Sequence, residues 1–395
     1  LRRENMAIQV AERVKKIPPY LFSTIDELKE KVKKRGNTLI DLGMGNPDLP
    51  TPSHIVERLK EAAMDSSTHR YSSARGDEEL RKAIADWYER RYGVYLDFQE
   101  EVLPLIGSKE GIAVTYLTFI NPGDVAIVPT PAYPVHFNGV LLAGGVVHHL
   151  PINKENNFLP DLFSVPRKVL KRAKIIFLCY PNNPTAAIVE REFLEEAVSF
   201  ARRHNLILAN DFSYSEITFD GYRPPSLLQV KGSKEIGIEF HSFSKTYNMA
   251  GWRIGFVVGN KDLINSIARV KRYIDFGIFA AIQKAATLAL KGPQDCVRQI
   301  RDTYRRRRDI LVEGLRSLGW EVESPKATMY VWAPLPPRYS AMSSLEFSKF
   351  LLEKTGVVVS PGTGFGKGGE GYVRFALVEG EQRISEAVRR IGKVL

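Results

Sequence analysis

The chain has 395 residues, 44% of them hydrophobic and 26% charged, which is the balance of a globular protein with room for two domains. No apolar run is long enough to cross a bilayer, and the start, Leu-Arg-Arg-Glu-Asn-Met, lacks the apolar stretch of a secretory signal, so a cytoplasmic protein with no membrane partner is expected. A net charge of +11 raises the question of nucleic acid, yet there is no finger, basic zipper or basic–aromatic interleaving; small anionic substrates are the partners this charge favours.

Residues 7 to 35 read as an amphipathic arm broken at Pro18-Pro19, with a helical stretch from Thr24 to Lys34. A strand-like Thr38–Leu42 ends in the turn-rich Gly43-Met-Gly45-Asn-Pro47, and helical periodicity follows at Ser53–Ala63 and Glu78–Tyr92. From about residue 101, seven short apolar runs alternate with helical stretches. They are Val102–Ile106, Val125–Val128, Val146–Ile152, Ile175–Tyr180, Leu206–Asn210, Ile236–Phe240 and Ile254–Val258, and the clearest helix between them is Glu190–Arg203. Such alternation predicts an α/β fold with a mainly parallel, helix-flanked sheet.

A long helical segment is expected from Lys261 to Leu290. The last hundred residues run helix (295–317), strands (Glu321–Glu323 and Met329–Trp332), helix (345–355), strands (Val357–Val359 and Tyr372–Leu377) and helix (381–394), a smaller α+β domain. The densest basic run, Arg305–Arg308, lies in a pattern with Val297, Ile300, Tyr304, Leu311 and Leu315 on one side and reads as a solvated helix face. The two cysteines, Cys179 and Cys296, form neither a disulfide framework nor a metal-ligand spacing, so no metal is expected.

Ligands of open α/β sheets collect outside the carboxyl ends of the strands. Directly after five of the seven candidate strands stand Gly107-Ser108-Lys109-Glu-Gly111, Pro129-Thr-Pro-Ala-Tyr133, Pro181-Asn-Asn183-Pro184, Asp211-Phe-Ser-Tyr214 and His241-Ser242-Phe-Ser244-Lys245. Each has a plain structural explanation alone: a helix cap, a turn or a surface charge. Their convergence on successive strand ends points to one pocket, with an amine set among hydroxyls and an arginine, Arg253, eight positions later. Gly364-Phe-Gly-Lys-Gly-Gly369 matches a dinucleotide fingerprint, but a strand follows it where a helix is required, so it reads as a flexible glycine loop.

With these blocks in this order, the chain resembles the fold-type I pyridoxal-phosphate aminotransferases of class I/II over nearly its whole length. Ser242–Gly255 is similar to that family's lysine signature. The resemblance implies a large cofactor-binding domain (49–285), a small C-terminal domain (286–395), and an N-terminal arm with part of the small domain (1–48). It implies pyridoxal 5′-phosphate anchored on Lys245, which would also carry the proton between substrate Cα and cofactor. Asp211 would pair with the pyridine nitrogen, Asn183 and Tyr214 with the ring oxygen, and Tyr133 would stack on the ring. The phosphate would be held around Ser108 and Lys109, by Ser242, Ser244 and Arg253, and by Tyr71 from a second subunit of a homodimer. Arg374 would clamp the substrate carboxylate, with Gly45, Asn183 and Tyr20 beside it. Thr130-Pro131 and Asn183-Pro184 are candidate cis peptides.

Pro18-Pro-Tyr-Leu-Phe22, Gly43–Asp48 and Ala327–Trp332 look closest to the bacterial glutamate–pyruvate (alanine) aminotransferases, whose near relatives include LL-diaminopimelate and aspartate aminotransferases. The leading expectation is therefore ping-pong transfer between alanine/pyruvate and glutamate/2-oxoglutarate. Tyr273–Ala280 offers no arginine for a distal carboxylate, for which Lys109, Arg75 and Tyr20 are the candidates. A C–S lyase keeps the cofactor and changes the outcome to elimination. An effector-sensing regulator is the non-enzymatic alternative, disfavoured because the aminotransferase pattern already begins near residue 17.

Overall fold

The computed structural model describes residues 9–18, 21–34, 36 and 38–395, and Tyr20 lies outside the described residues. A two-residue strand, β1 (Ile40–Asp41), comes first and belongs with the C-terminal part of the chain. The seven expected apolar runs then form one sheet: β2 (Val102–Leu105), β3 (Val125–Thr130), β4 (Val146–Pro151), β5 (Ala173–Cys179), β6 (Ile207–Asp211), β7 (Gly237–Ser242) and β8 (Gly255–Gly259). Their spatial order is β2-β8-β7-β6-β5-β3-β4. Only β8 runs against its neighbours; the remaining pairings, from β7 to β4, are parallel.

Helices cover both faces, which is why β2, β3, β7 and β8 are buried at every residue and read as continuous apolar runs. Edge strand β4 is covered least and carries His148 and His149 among partly exposed positions. One face packs against helices Ser108–Phe119, Val135–Leu142 and Lys261–Lys271. Glu78–Tyr92, Arg191–Arg203 and Ala280–Lys291 take the other face. In Arg191–Arg203 the buried Leu194, Ala197, Val198 and Ala201 recur at helical spacing, and each large apolar side chain so placed contributes about 1.5–3 kcal/mol.

The expected helix over 261–290 is two helices. Lys271 donates to Asp275, Gly277 N–H is received by the same carboxylate, and Gly277 takes a positive φ of 102° against Ser72 and Ser73, which turns the chain. The second helix, Ala280–Lys291, packs on Ser53–Met64 and Glu78–Tyr92, and the long helix Asp295–Ser317 then passes from that core at Val297 to the C-terminal core from Ile300 onward.

The C-terminal body holds β9 (Tyr330–Pro334), β10 (Val357–Val358), β11 (Ser360–Pro361) and β12 (Tyr372–Ala376). β11, β12 and β9 make an antiparallel sheet, and β10 pairs with β1. The run Glu321–Glu323 is no strand. Its backbone is irregular, held by the buried Trp320 and Val322 and by Arg316 donating to the Val322 carbonyl.

The basic run 305–308 is only half a solvated face. Arg307 is buried with a bidentate pair to Asp48 (2.7 and 2.8 Å), and Arg308 is buried against Asp220. Residues 362–369 form two consecutive 3-10 turns rather than a loose loop, with Gly362 and Gly369 so close that a Cβ on either would strike the other's backbone. Thr130–Pro131 and Asn183–Pro184 are cis, as is Tyr180–Pro181.

Candidate active site

Strand ends β2, β3, β5, β6 and β7 open on one cavity of about 260 Å³, closed from the other side by Gly45, β9 and β12. Ser108, Lys109, Tyr133, Asn183, Asp211, Tyr214, Ser242, Ser244, Lys245, Arg253, Arg374 and Gly45 all line it. Two expected residues stand apart. Tyr71 is 88% exposed, its ring 5.2 Å from that of Phe276. Tyr20 is outside the described residues. Of the distal-carboxylate candidates, Lys109 is at the cavity wall with its ammonium 5.7 Å from the Tyr133 ring. Arg75 is not in the cavity: its guanidinium is spent on Asn265 and on the Gln99 and Glu100 carbonyls.

Asp211 ends β6 and is buried. Its Oδ1 accepts from Ser213 Oγ (2.6 Å) and Ser213 N (3.1 Å), and Oδ2 meets His136 Nε2 at 3.1 Å. Burial alone would raise this carboxyl, but the hydrogen bond and charge of His136, helped by Ser213, hold it below the usual carboxylate range. The site therefore keeps an anion at its floor.

Lys245 follows β7 in the short helix Phe243–Thr246, whose N-cap is Ser242. Its nearest hydrogen-bond acceptor is the Gly45 carbonyl at 3.5 Å. Burial, then the like charges of Arg374 and Arg253, bring its amine down to about 8, against a smaller opposing pull from Asp211. An amine so placed is in part neutral near physiological pH, as a nucleophile or proton acceptor must be.

Arg374, on β12, is buried. Its Nη1 donates to Asn183 Oδ1 (2.7 Å) and its Nη2 to the Gly43 carbonyl (3.1 Å), while Nε has no partner. Arg253 sits at the other end of the cavity in the left-handed region, with φ 54°. The N-terminus of helix Ser108–Phe119 has no side-chain cap, so its first N–H groups are free to meet an anion. Glycines keep this end open. A Cβ on Gly107 would lie 2.3 Å from Arg253 Nη2, and one on Gly255 would lie 2.9 Å from Ser108 N.

Residues 37–391 match the family model of aminotransferase class I and II. The chain belongs to that family. This aminotransferase is 52% identical to the LL-diaminopimelate aminotransferase of Syntrophobacter fumaroxidans over 389 residues, 98% of this chain and all of the relative. It is 50% identical to the protein of the same name from Moorella thermoacetica, over 98% of this chain and 99% of that one. Among solved structures it is similar to substrate-bound BacF from Bacillus subtilis, at TM-score 0.94 and 39% identity over 98% of both chains.

This aminotransferase is pyridoxal-phosphate dependent, and the cavity fits the group on its own terms. An anionic Asp211 suits a protonated ring nitrogen, and a depressed lysine amine suits an aldehyde. Uncapped helix N–H groups, serine hydroxyls and Arg253 gather where a phosphate needs donors, and Arg374 Nε is a buried donor still lacking its acceptor.

Sequence reasoning missed His136, Ser213, Tyr330 and Phe365. His136 stands one helical turn after Tyr133, a spacing that places the two on one side of the helix start. Tyr330 and Phe365 approach the cavity from the C-terminal body, and nothing local to their segments announces it. Among the described residues no helix is long and apolar enough to cross a membrane.

Proposed function

We propose that this aminotransferase moves an amino group between LL-diaminopimelate and a 2-oxo acid, with glutamate and 2-oxoglutarate as the companion pair. The 52% identity to a relative of that name, spread over both full lengths, carries the proposal. It displaces alanine/pyruvate as the first choice. The cavity wall accommodates such substrates: the Lys109 ammonium lies beside Tyr133, where the second carboxylate of glutamate or of LL-diaminopimelate would meet a cation.

Bound pyridoxal phosphate supplies an electrophilic carbon for the amino group and a ring that accepts the charge left when the substrate Cα–H proton departs. The rest falls to the chain. Lys245 would anchor the cofactor and, once displaced by substrate, its buried amine would take the Cα proton and return it. Asp211, kept ionised by His136 and Ser213, holds the ring nitrogen protonated. Asn183 and Tyr214 would meet the ring oxygen, Tyr133 would stack on the ring, and the backbone N–H groups at Ser108 and Lys109, with Ser242, Ser244 and Arg253, would hold the phosphate. Arg374, braced by Asn183 and Gly43, receives the substrate carboxylate beside Gly45.

The active unit in this proposal is a homodimer. Tyr71, Tyr273, Ile274, Phe276 and Phe279 form an exposed apolar surface that a second copy would cover, bringing Tyr71 to its partner's phosphate.

The test is chemical. LL-diaminopimelate with 2-oxoglutarate should yield glutamate and a 2-amino-6-oxo diacid, which closes to a cyclic imine with loss of water. Pyruvate and ammonia released from cystathionine without an oxo acid would point instead to a lyase.

A further inference from the structure

Tyr330 is 2% exposed on β9 and touches two of the groups assigned above. Its hydroxyl lies 2.8 Å from that of Tyr214. The Arg374 guanidinium sits 4.0 Å from its ring centroid, with the Phe365 ring at 4.5 Å on the cation as well. Gly45 makes the placement possible, since a Cβ there would fall 2.1 Å from the Tyr330 hydroxyl oxygen.

Each phenol has one proton, and their mutual contact uses one of the two. Where Tyr214 donates, its proton is spent on Tyr330. Where Tyr330 donates, Tyr214 keeps its proton for an acceptor in the cavity. An anionic ring oxygen is the stronger acceptor and selects the second order. The Arg374 cation over the ring polarises Tyr330 in the direction that strengthens its O–H as a donor.

We propose that Tyr330 is a positioning residue that orders a proton chain from Tyr330 through Tyr214 to the cofactor's ring oxygen, and ties that chain to the carboxylate clamp Arg374. The inference rests on the cofactor placement proposed above and adds to it a link between its two ends. A substrate carboxylate that neutralises Arg374 weakens the polarisation of Tyr330, so carboxylate binding is felt at the ring oxygen.

The test uses the holoprotein and the pH titration of the cofactor's absorbance. Tyr214→Phe should raise the midpoint, because the lost donor no longer stabilises the unprotonated chromophore. Tyr330→Phe keeps the ring and removes only the hydroxyl; it should raise the midpoint in the same direction by about half to one pH unit. The double variant should go no further than Tyr214→Phe, since Tyr330 acts through Tyr214. A shift in Tyr214→Phe with none in Tyr330→Phe overturns the inference and leaves the function standing. No shift in either variant overturns the cofactor placement and the inference together. The link to Arg374 is read separately: Tyr330→Leu, which removes the ring, should raise the KM for the amino donor roughly tenfold above that of Tyr330→Phe. Equal KM values in the two variants overturn the link.

Discussion

The depressed amine of Lys245 has a consequence that is measurable before any turnover. With a pKa of about 8, roughly one apoprotein molecule in ten carries a neutral Lys245 at pH 7; at the ordinary 10.5 it would be about one in three thousand. The neutral fraction is what attacks an aldehyde, so capture of pyridoxal phosphate at pH 7 should be about two orders of magnitude faster than for an unperturbed lysine. The rate should climb about tenfold per pH unit below 8 and level off above it. Arg374→Gln removes the larger of the two like charges and should move the levelling point upward, with capture at pH 7 slowed several-fold. Mixing apoprotein with cofactor and following the absorbance change across pH 6 to 10 gives both quantities. A rate still rising beyond pH 9.5 in the unmodified protein would show that the amine is not depressed and that its surroundings do not act as described.

Other expected outcomes follow from contacts around the site. Ser213→Ala removes the shortest hydrogen bond to Asp211 and should loosen the cofactor roughly tenfold, measured as its loss on dialysis, while the fold stays intact by circular dichroism. Gly45→Ala drives a Cβ into Tyr330 and should lower kcat/KM by about a hundredfold through displacement of the carboxylate clamp. Arg307→Leu removes the bidentate partner of the partly exposed Asp48 from the long helix and should cost about 1–2 kcal/mol in urea unfolding, with little effect on the cofactor spectrum.

The sheet was legible because buried parallel strands are written as short apolar runs, and all seven reappear as β2 to β8. The strand ends were legible because chemistry collects there. What the sequence hid depends on contacts across long chain separations. Tyr330 meets Tyr214 from 116 positions away, and Arg374 meets Asn183 from 191. The break near Gly277 stayed hidden because the polar residues that end the first helix also suit a helix surface. Arg307 and Arg308 looked solvated because the carboxylates that receive them, Asp48 and Asp220, come from distant segments. Substrate choice was the least legible: the strand-end blocks speak to the cofactor, and no local motif marks the residues that would meet a donor's side chain.

The most direct test of that choice is a competition. Equimolar LL-diaminopimelate, alanine and aspartate are offered with limiting 2-oxoglutarate, and the products are separated by mass, so the product ratio reports relative kcat/KM. The cyclic imine from LL-diaminopimelate should exceed pyruvate and oxaloacetate together by at least about a hundredfold. Pyruvate as the main product would contradict the assignment and return alanine to first place.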